Sequence, residues 1–254
     1  MDETEVGAYF DTASSDYTHD QEIDEIDFWP TVDGFIAERC SVGDRVLEIG
    51  CGDGLFLEYV LETTDVSEAY GVDISTAMLP DPDEDVRARY LQASATDLPL
   101  PFEPASFDYV VFSDVLHHLV GDSRSHSRCK AQAALVEATN LLRDGGHLIV
   151  KDIYHHSPVG PDELTSYMIF YGLKHLTGLA SVVDDQATDG LLVSFYTDEE
   201  LVEMLEQAGT TVVRTETEPM VGASSLPRRV LIEESACIRL YAEKNSRGVG
   251  EPRR

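Results

Sequence analysis

The sequence predicts an open α/β sheet whose ligand crevice lies at the carboxyl ends of its strands. Val46, Leu47 and Ile49 form an apolar run too short for a helix and rich in β-branched residues, which reads as a buried strand. Gly50, Gly52 and Gly54 follow at alternate positions, where backbone can take positive φ and approach a ligand closely. Leu55, Phe56, Tyr59 and Val60 then recur at helical spacing. A dinucleotide fingerprint needs G-x-G-x-x-G; the sixth position from Gly50 is Leu55, so a nicotinamide or flavin reading lacks its third glycine.

The remaining elements follow in order. Residues 1–27 are acidic and carry Tyr9, Phe10 and Tyr17, and read as a loosely packed amino-terminal segment. Phe28 to Cys40 is a helix with Pro30 in its first turn and Phe28, Val32, Phe35 and Ile36 at helical spacing. Strand 2 is Ala69 to Ile74, and Asp73 sits near its end, close to the roughly 20-residue spacing that places an acid on a ribose hydroxyl. A carboxylate accepts both hydrogen bonds of a vicinal diol; the competing role is a cap for the next helix, which Ser75 also fits. That helix ends at Pro80 and Pro82, and strand 3 runs from Val86 to Gln92. Ser106 to Ser113 is strand 4, followed by Asp114-Val-Leu-His-His-Leu119. Gly121 to Cys129 reads as a polar loop, Lys130 to Leu142 as a helix closed by Gly145 and Gly146, and His147 to Asp152 as strand 5. Residues 154–195 break the rhythm and read as a helical insertion over the crevice mouth, aromatic at Tyr154, Tyr167, Phe170 and Tyr171 and acidic at Asp184, Asp185 and Asp189. Thr197 and Glu200 form a capping box for a helix to Ala208, and Thr211–Glu218 and Ala236–Glu243 are the last strands. One domain is expected: an amino-terminal cap and helix at 1–40, a core at 41–152, a lid at 153–196, a closing helix and edge strands at 197–244, and a tail at 245–254.

The pattern Glu48-x-Gly50-x-Gly52-x-Gly54, preceded by Val46-Leu47 and followed by Asp73, Leu98-Pro99 and Ser113-x-Val-Leu-His-His-Leu119, resembles the class I S-adenosylmethionine-dependent methyltransferases. The resemblance covers roughly residues 40 to 152. It implies a Rossmann-like, seven-stranded, mostly parallel sheet with an antiparallel edge strand and helices on both faces. It implies S-adenosyl-L-methionine as cofactor, held at Gly50, Cys51, Gly52, Asp73, Ile74, Met78, Ser94, Ala95, Asp97 and Ser113. Met78 fits a core position equally well. Aligned on Leu98-Pro99, the family's adenine-contacting acid falls on Ser94, a departure; the Ser94 hydroxyl, Asp97 or the Ala95 backbone is then left to take the adenine. His117 and His118 are the base candidates, because histidine titrates near neutrality, and on a helix the two would face different ways. Tyr9, Tyr17, Tyr154 and His155 are the candidates for the substrate side. The reaction implied is in-line methyl transfer to a small-molecule acceptor. The alternatives are a cofactor-binding protein without transfer, a dinucleotide enzyme, or a methyltransferase acting on a macromolecule.

Composition narrows these. The 254 residues carry 48 acids against 18 bases, a net charge of −30, with the acids spread along the chain. A solvated acidic surface of this kind suits a high-salt cytoplasm, and phosphate binding needs clustered Lys and Arg that only four lysines and scattered arginines do not supply. Nucleic acid is therefore not the expected partner. Cys40, Cys51, Cys129 and Cys237 show no C-x-x-C, so neither a disulfide framework nor a zinc or other metal site is expected. No stretch approaches the roughly 18 apolar residues of a membrane span, and Met1-Asp-Glu-Thr-Glu lacks a signal peptide's basic start; a cytoplasmic, halophilic monomer or homodimer is expected. If self-repulsion of this charge weakens the fold, molar potassium chloride should raise the melting temperature above its value in dilute buffer; a flat or falling melting temperature would contradict the solvated-surface reading.

Overall fold

The computed structural model describes residues 6–12, 32–80, 86–175, 192–220 and 232–246. Seven strands form one sheet: β1 (Arg45–Ile49), β2 (Glu68–Asp73), β3 (Ala88–Gln92), β4 (Phe107–Ser113), β5 (Leu142–His156), β6 (Thr210–Pro219) and β7 (Glu234–Lys244). Their order is β3-β2-β1-β4-β5-β7-β6. β1 to β5 pair in parallel, whereas β7 runs antiparallel to both β5 and β6. The helices are α1 (residues 6–12), α2 (Val32–Ala37), α3 (Leu55–Thr63), α4 (Arg124–Leu141), α5 (Glu163–His175) and α6 (Asp198–Gln207). Among the described residues no helix is long and apolar enough to cross a membrane.

The central strands β1, β2 and β4 are buried on both faces, which is why β4 reads as an unbroken apolar run rather than an alternating one. One face packs Leu47, Val110, Leu148 and Val150 against Leu135 and Ala138 of α4 and Leu201 and Leu205 of α6. The other packs Val46, Val111 and Ile149 against Phe35 and Ile36 of α2 and Leu57 and Val60 of α3. The capping box starts α6: Thr197 Oγ1 accepts from Glu200 N at 3.1 Å, and Glu200 Oε2 accepts from Thr197 N at 3.0 Å.

Several boundaries differ from the sequence expectation. α4 begins at Arg124, not Lys130, because Ser123 caps it by accepting from His126 N at 3.2 Å. The polar composition of its first turns hid it; Arg124 in that turn is buried against Glu200. β3 starts at Ala88, and Val86 is exposed outside it. No helix lies between β2 and the end of the described stretch at Pro80: residues 76–79 are turns and bends. Ser75 is therefore not a helix cap. β5 runs on through His156, so Tyr154 and His155 lie on a strand paired with β7 and not in a helical insertion. The inserted helix is α5. It packs Ile169 on Phe195 and Ile232, and Phe170 on Val120 and Leu192. Tyr17, Phe28, Pro30, Pro82, Asp184, Asp185 and Asp189 lie outside the described residues.

Candidate active site

The site is built where β1, β2, β4 and β5 end. After Ile49 the chain turns through Gly50 at φ 80°, Gly52 at φ 52° and Gly54 at φ 76°. Gly50 is demanded twice over, because a Cβ there would also collide with Val115 Cγ2 in the segment leaving β4. Asp73 joins this turn to the end of β2: its Oδ2 accepts from Gly52 N and its Oδ1 from Ser75 N, each at 2.9 Å. Each carboxylate oxygen keeps a further lone pair beyond these bonds. Burial raises the Asp73 pKa, opposed by the backbone N–H groups of Ser75, Gly52 and Ile74.

The turn carries a concentrated acidic field. Glu48 is buried, and among the described residues its Oε2 has no hydrogen-bond partner. Burial, then Asp53 and Asp73, push its pKa well above the carboxylate range, with Lys151 pulling the other way. A cationic group in the crevice relieves such a set. Backbone freedom at Gly50 and Gly52, a carboxylate at the end of β2 and an orphaned acid below fit S-adenosylmethionine, whose methionyl end is cationic. Met78 lies over the turn, its Cε 3.3 Å from where a Gly52 Cβ would be. The Cys51 thiol is buried toward Gly71, so only its backbone is available to a ligand. Beyond β3, Ser94 Oγ accepts from Thr96 N at 3.2 Å and lies 3.1 Å from Thr96 Oγ1; Asp97 is exposed and Ala95 half-buried.

α1 reaches both sides of the crevice. Gly7 faces Ile74, the Ser75 hydroxyl donates to Asp11 Oδ1 at 2.6 Å, and the Phe10 ring meets His118 edge-on at 5.4 Å. Tyr9 packs edge-on against Phe10 at 5.4 Å.

Past Ser113, Asp114 takes φ 56° and pairs with Lys151 of β5. Leu116–His118 then form a single 3-10 turn. The two histidine rings do not diverge as expected but pack together, centroids 4.1 Å apart and tilted 47°. His117 Nδ1 lies 2.6 Å from Asp152 Oδ1, and His117 N donates to Asp152 Oδ2 at 3.3 Å. Both side chains are buried. Burial disfavours imidazolium, but the Asp152 carboxylate outweighs it and raises the His117 pKa above the usual value. His118 is pushed well below that value by burial and by His117. Its Nδ1 has no partner among the described residues.

A wall from residues 192–197 closes one side. Ser194 N donates to His117 O at 2.8 Å. The Phe195 ring stacks on His117 at 5.1 Å and meets His155 edge-on at 4.6 Å. Tyr154 does not join this group: its ring sits in the core cluster and its hydroxyl donates to Glu234 Oε1 at 2.7 Å. Sequence reasoning missed Asp152 and Phe195. Asp152 was legible in principle, since strand alternation puts it on the buried face of Leu148 and Val150; nothing local marks Phe195.

Comparison with known proteins agrees with this architecture. Residues 47–150 match the family model described as a methyltransferase domain. The 27-O-demethylrifamycin SV methyltransferase of Amycolatopsis mediterranei (strain S699) is 32% identical over 124 residues, which cover 46% of this chain and 42% of that protein. The chain thus spans about half the length, or less, of the curated relatives it matches. Two solved structures share the fold. The cyclase SpnF aligns with TM-score 0.61 and 16% identity over 96% of this chain and 97% of that one. The 1,6-didemethyltoxoflavin-N1-methyltransferase of Burkholderia thailandensis, solved with 1,6-didemethyltoxoflavin and S-adenosylhomocysteine, aligns with TM-score 0.54 and 17% identity over 95% and 88%. The domain match lies across β1 to β5 with the glycine turn at its head, so residues 47–150 are similar to a methyltransferase domain.

Proposed function

We propose that the chain transfers a methyl group from S-adenosylmethionine to a small molecule whose accepting atom loses a proton, with His117 as the base and Asp152 as its partner. The contact of 2.6 Å between His117 Nδ1 and Asp152 Oδ1 carries this reading. A fold shared with a cyclase does not imply transfer, so the base pair must. The small-molecule side is supported by the apolar and aromatic lining of Phe10 and Phe195 with few polar groups. It is supported too by the names of the rifamycin and toxoflavin enzymes. A charge of −30 disfavours nucleic acid.

The bound cofactor supplies a methyl group on a good leaving group, a sulfonium. Asp73, the glycine turn, Ile74, Met78 and Ser113 would hold it, with Ser94, Asp97 or the Ala95 backbone taking the adenine, and Glu48 would offset its positive charge. α1 and the wall exclude water and align the acceptor; alignment alone can lower a barrier by roughly 7–11 kcal/mol in ideal cases. With its Nδ1 proton held by Asp152, neutral His117 takes the acceptor's proton at Nε2, and Asp152 stabilises the imidazolium that results. His118, kept neutral, packs beside it. His155 and Tyr9 stand behind Phe195 and Phe10 and shape the acceptor side. Among the described residues, α5 and the 192–197 wall form the lid.

Asp73→Ala should weaken S-adenosylhomocysteine binding by about 1.5–3 kcal/mol in calorimetry, the range for a hydrogen bond to a charged group; unchanged affinity with an intact fold would remove the ribose assignment. The base must be unprotonated to act. Since Asp152 raises the His117 pKa, kcat/KM on an acceptor found by S-adenosylhomocysteine release should climb with pH and reach half its plateau above about pH 6.5. Asp152→Asn should lower the plateau by about 10²–10⁴ and move the midpoint down. A wild-type profile flat from acid to alkaline pH would rule out His117 as base.

A further inference from the structure

Arg124 lies outside the glycine turn and the base pair, yet it is among the most buried charges of the chain, 3% exposed. It is the first residue of α4. Its Nη1 donates to Glu200 Oε1 at 2.9 Å and its Nη2 to Glu200 Oε2, a two-pronged pair with the residue that closes the α6 capping box. Nη2 also donates to the Phe195 carbonyl oxygen at 3.1 Å. The guanidinium lies over the Tyr167 ring of α5 at 4.6 Å and near Tyr196 at 5.5 Å. One side chain therefore ties α4, α5, α6 and the 192–197 wall. A charge buried at this depth is costly to leave unpaired, and Glu200 and the Phe195 carbonyl hold the two Nη groups, while Nε has no hydrogen-bond partner among the described residues.

We infer that Arg124 is the positioning residue of the acceptor wall: by gripping the Phe195 carbonyl it sets the Phe195 ring against His117 and so fixes the environment in which the base works. The route is short. Arg124 holds Phe195 O, the neighbouring Ser194 N holds His117 O at 2.8 Å, and the Phe195 ring stacks on the His117 ring at 27°. The reaction role of His117 rests on the proposed function; the positioning itself does not.

The charged groups facing His117 are Asp152 and Lys151 of β5 and Asp114 beyond β4, with His118 beside it on its own turn. The wall adds an apolar ring and a backbone N–H, and α1 places Phe10 on His118. Loosening the wall admits water between His117 and Asp152 and weakens their coupling. A lysine at position 124 keeps the charge but cannot span Glu200 and Phe195 O with one planar fork.

The test is NMR titration of the His117 imidazole in the full chain without ligand, its signal assigned by its loss in His117→Gln. Arg124→Lys should lower the His117 midpoint toward the ordinary value of about 6.5. Phe195→Leu should do the same, and the double variant should move it no further than either alone, because both act through one ring. S-adenosylhomocysteine affinity should stay within about twofold, small against the tenfold that 1.4 kcal/mol gives. If Arg124→Lys does not fold, Arg124→Met with Glu200→Gln removes the grip without stranding a buried charge and keeps a capping-box residue. An unchanged midpoint in the folded variants, or shifts that simply add in the double variant, would overturn the inference. Failure of the wild type to bind S-adenosylhomocysteine would instead count against the proposed function, and the titration would still decide the role of Arg124.

Discussion

The crevice depends on how closely two chain segments pass. The turn leaving β1 and the segment leaving β4 approach until a single methyl group at Gly50 would collide with Val115. Parallel pairing of β1 with β4 in register from Val46 and Tyr109 to Ile49 and Phe112 forces both strands to end at the same level. Glycine at the turn lets the backbone, not side chains, form the floor. Asp73 then fastens the turn to β2, and His117 fastens the β4 exit to Asp152 on β5. Each of these bonds crosses between neighbouring strands, so the four strand ends hold the site rigidly and the flanking segments need only cover it.

The electrostatics of the site have two halves. At the β1 and β2 ends, Glu48, Asp53 and Asp73 crowd acidic groups into partly dry surroundings, so that burial and its neighbours push the Glu48 pKa up against the pull of Lys151. At the β4 and β5 ends, one imidazole is drawn toward its charged form by Asp152 while its neighbour is driven toward the neutral form. Two like groups in contact, with pKa values pushed apart by their surroundings, is the arrangement expected where one of them handles a proton. The acidic half suits a cationic ligand.

Much of this was legible in the sequence, for identifiable reasons. The glycine turn, β1, β2 and β4 announce themselves because buried parallel strands are short apolar runs and glycine marks special backbone. The capping box at Thr197 and Glu200 was read correctly because its chemistry is local. What escaped depended on distance in the chain. Asp152 meets His117 across 35 positions, Arg124 meets Phe195 across 71, and neither pair leaves a local pattern. The start of α4 was missed because its first turn is polar for a tertiary reason, the buried Arg124 and Glu200 pair. β5 was cut short at Asp152 because its extension pairs with β7, a partner far along the chain.

The central claim is that this crevice is made for a sulfonium cofactor and not for a dinucleotide. Calorimetric titration of the full chain with S-adenosylhomocysteine and, separately, with NAD tests it most directly. The account predicts saturable one-site binding of S-adenosylhomocysteine and none of NAD. Binding of NAD in its place, or a wild-type protein that binds neither while folded, would contradict it.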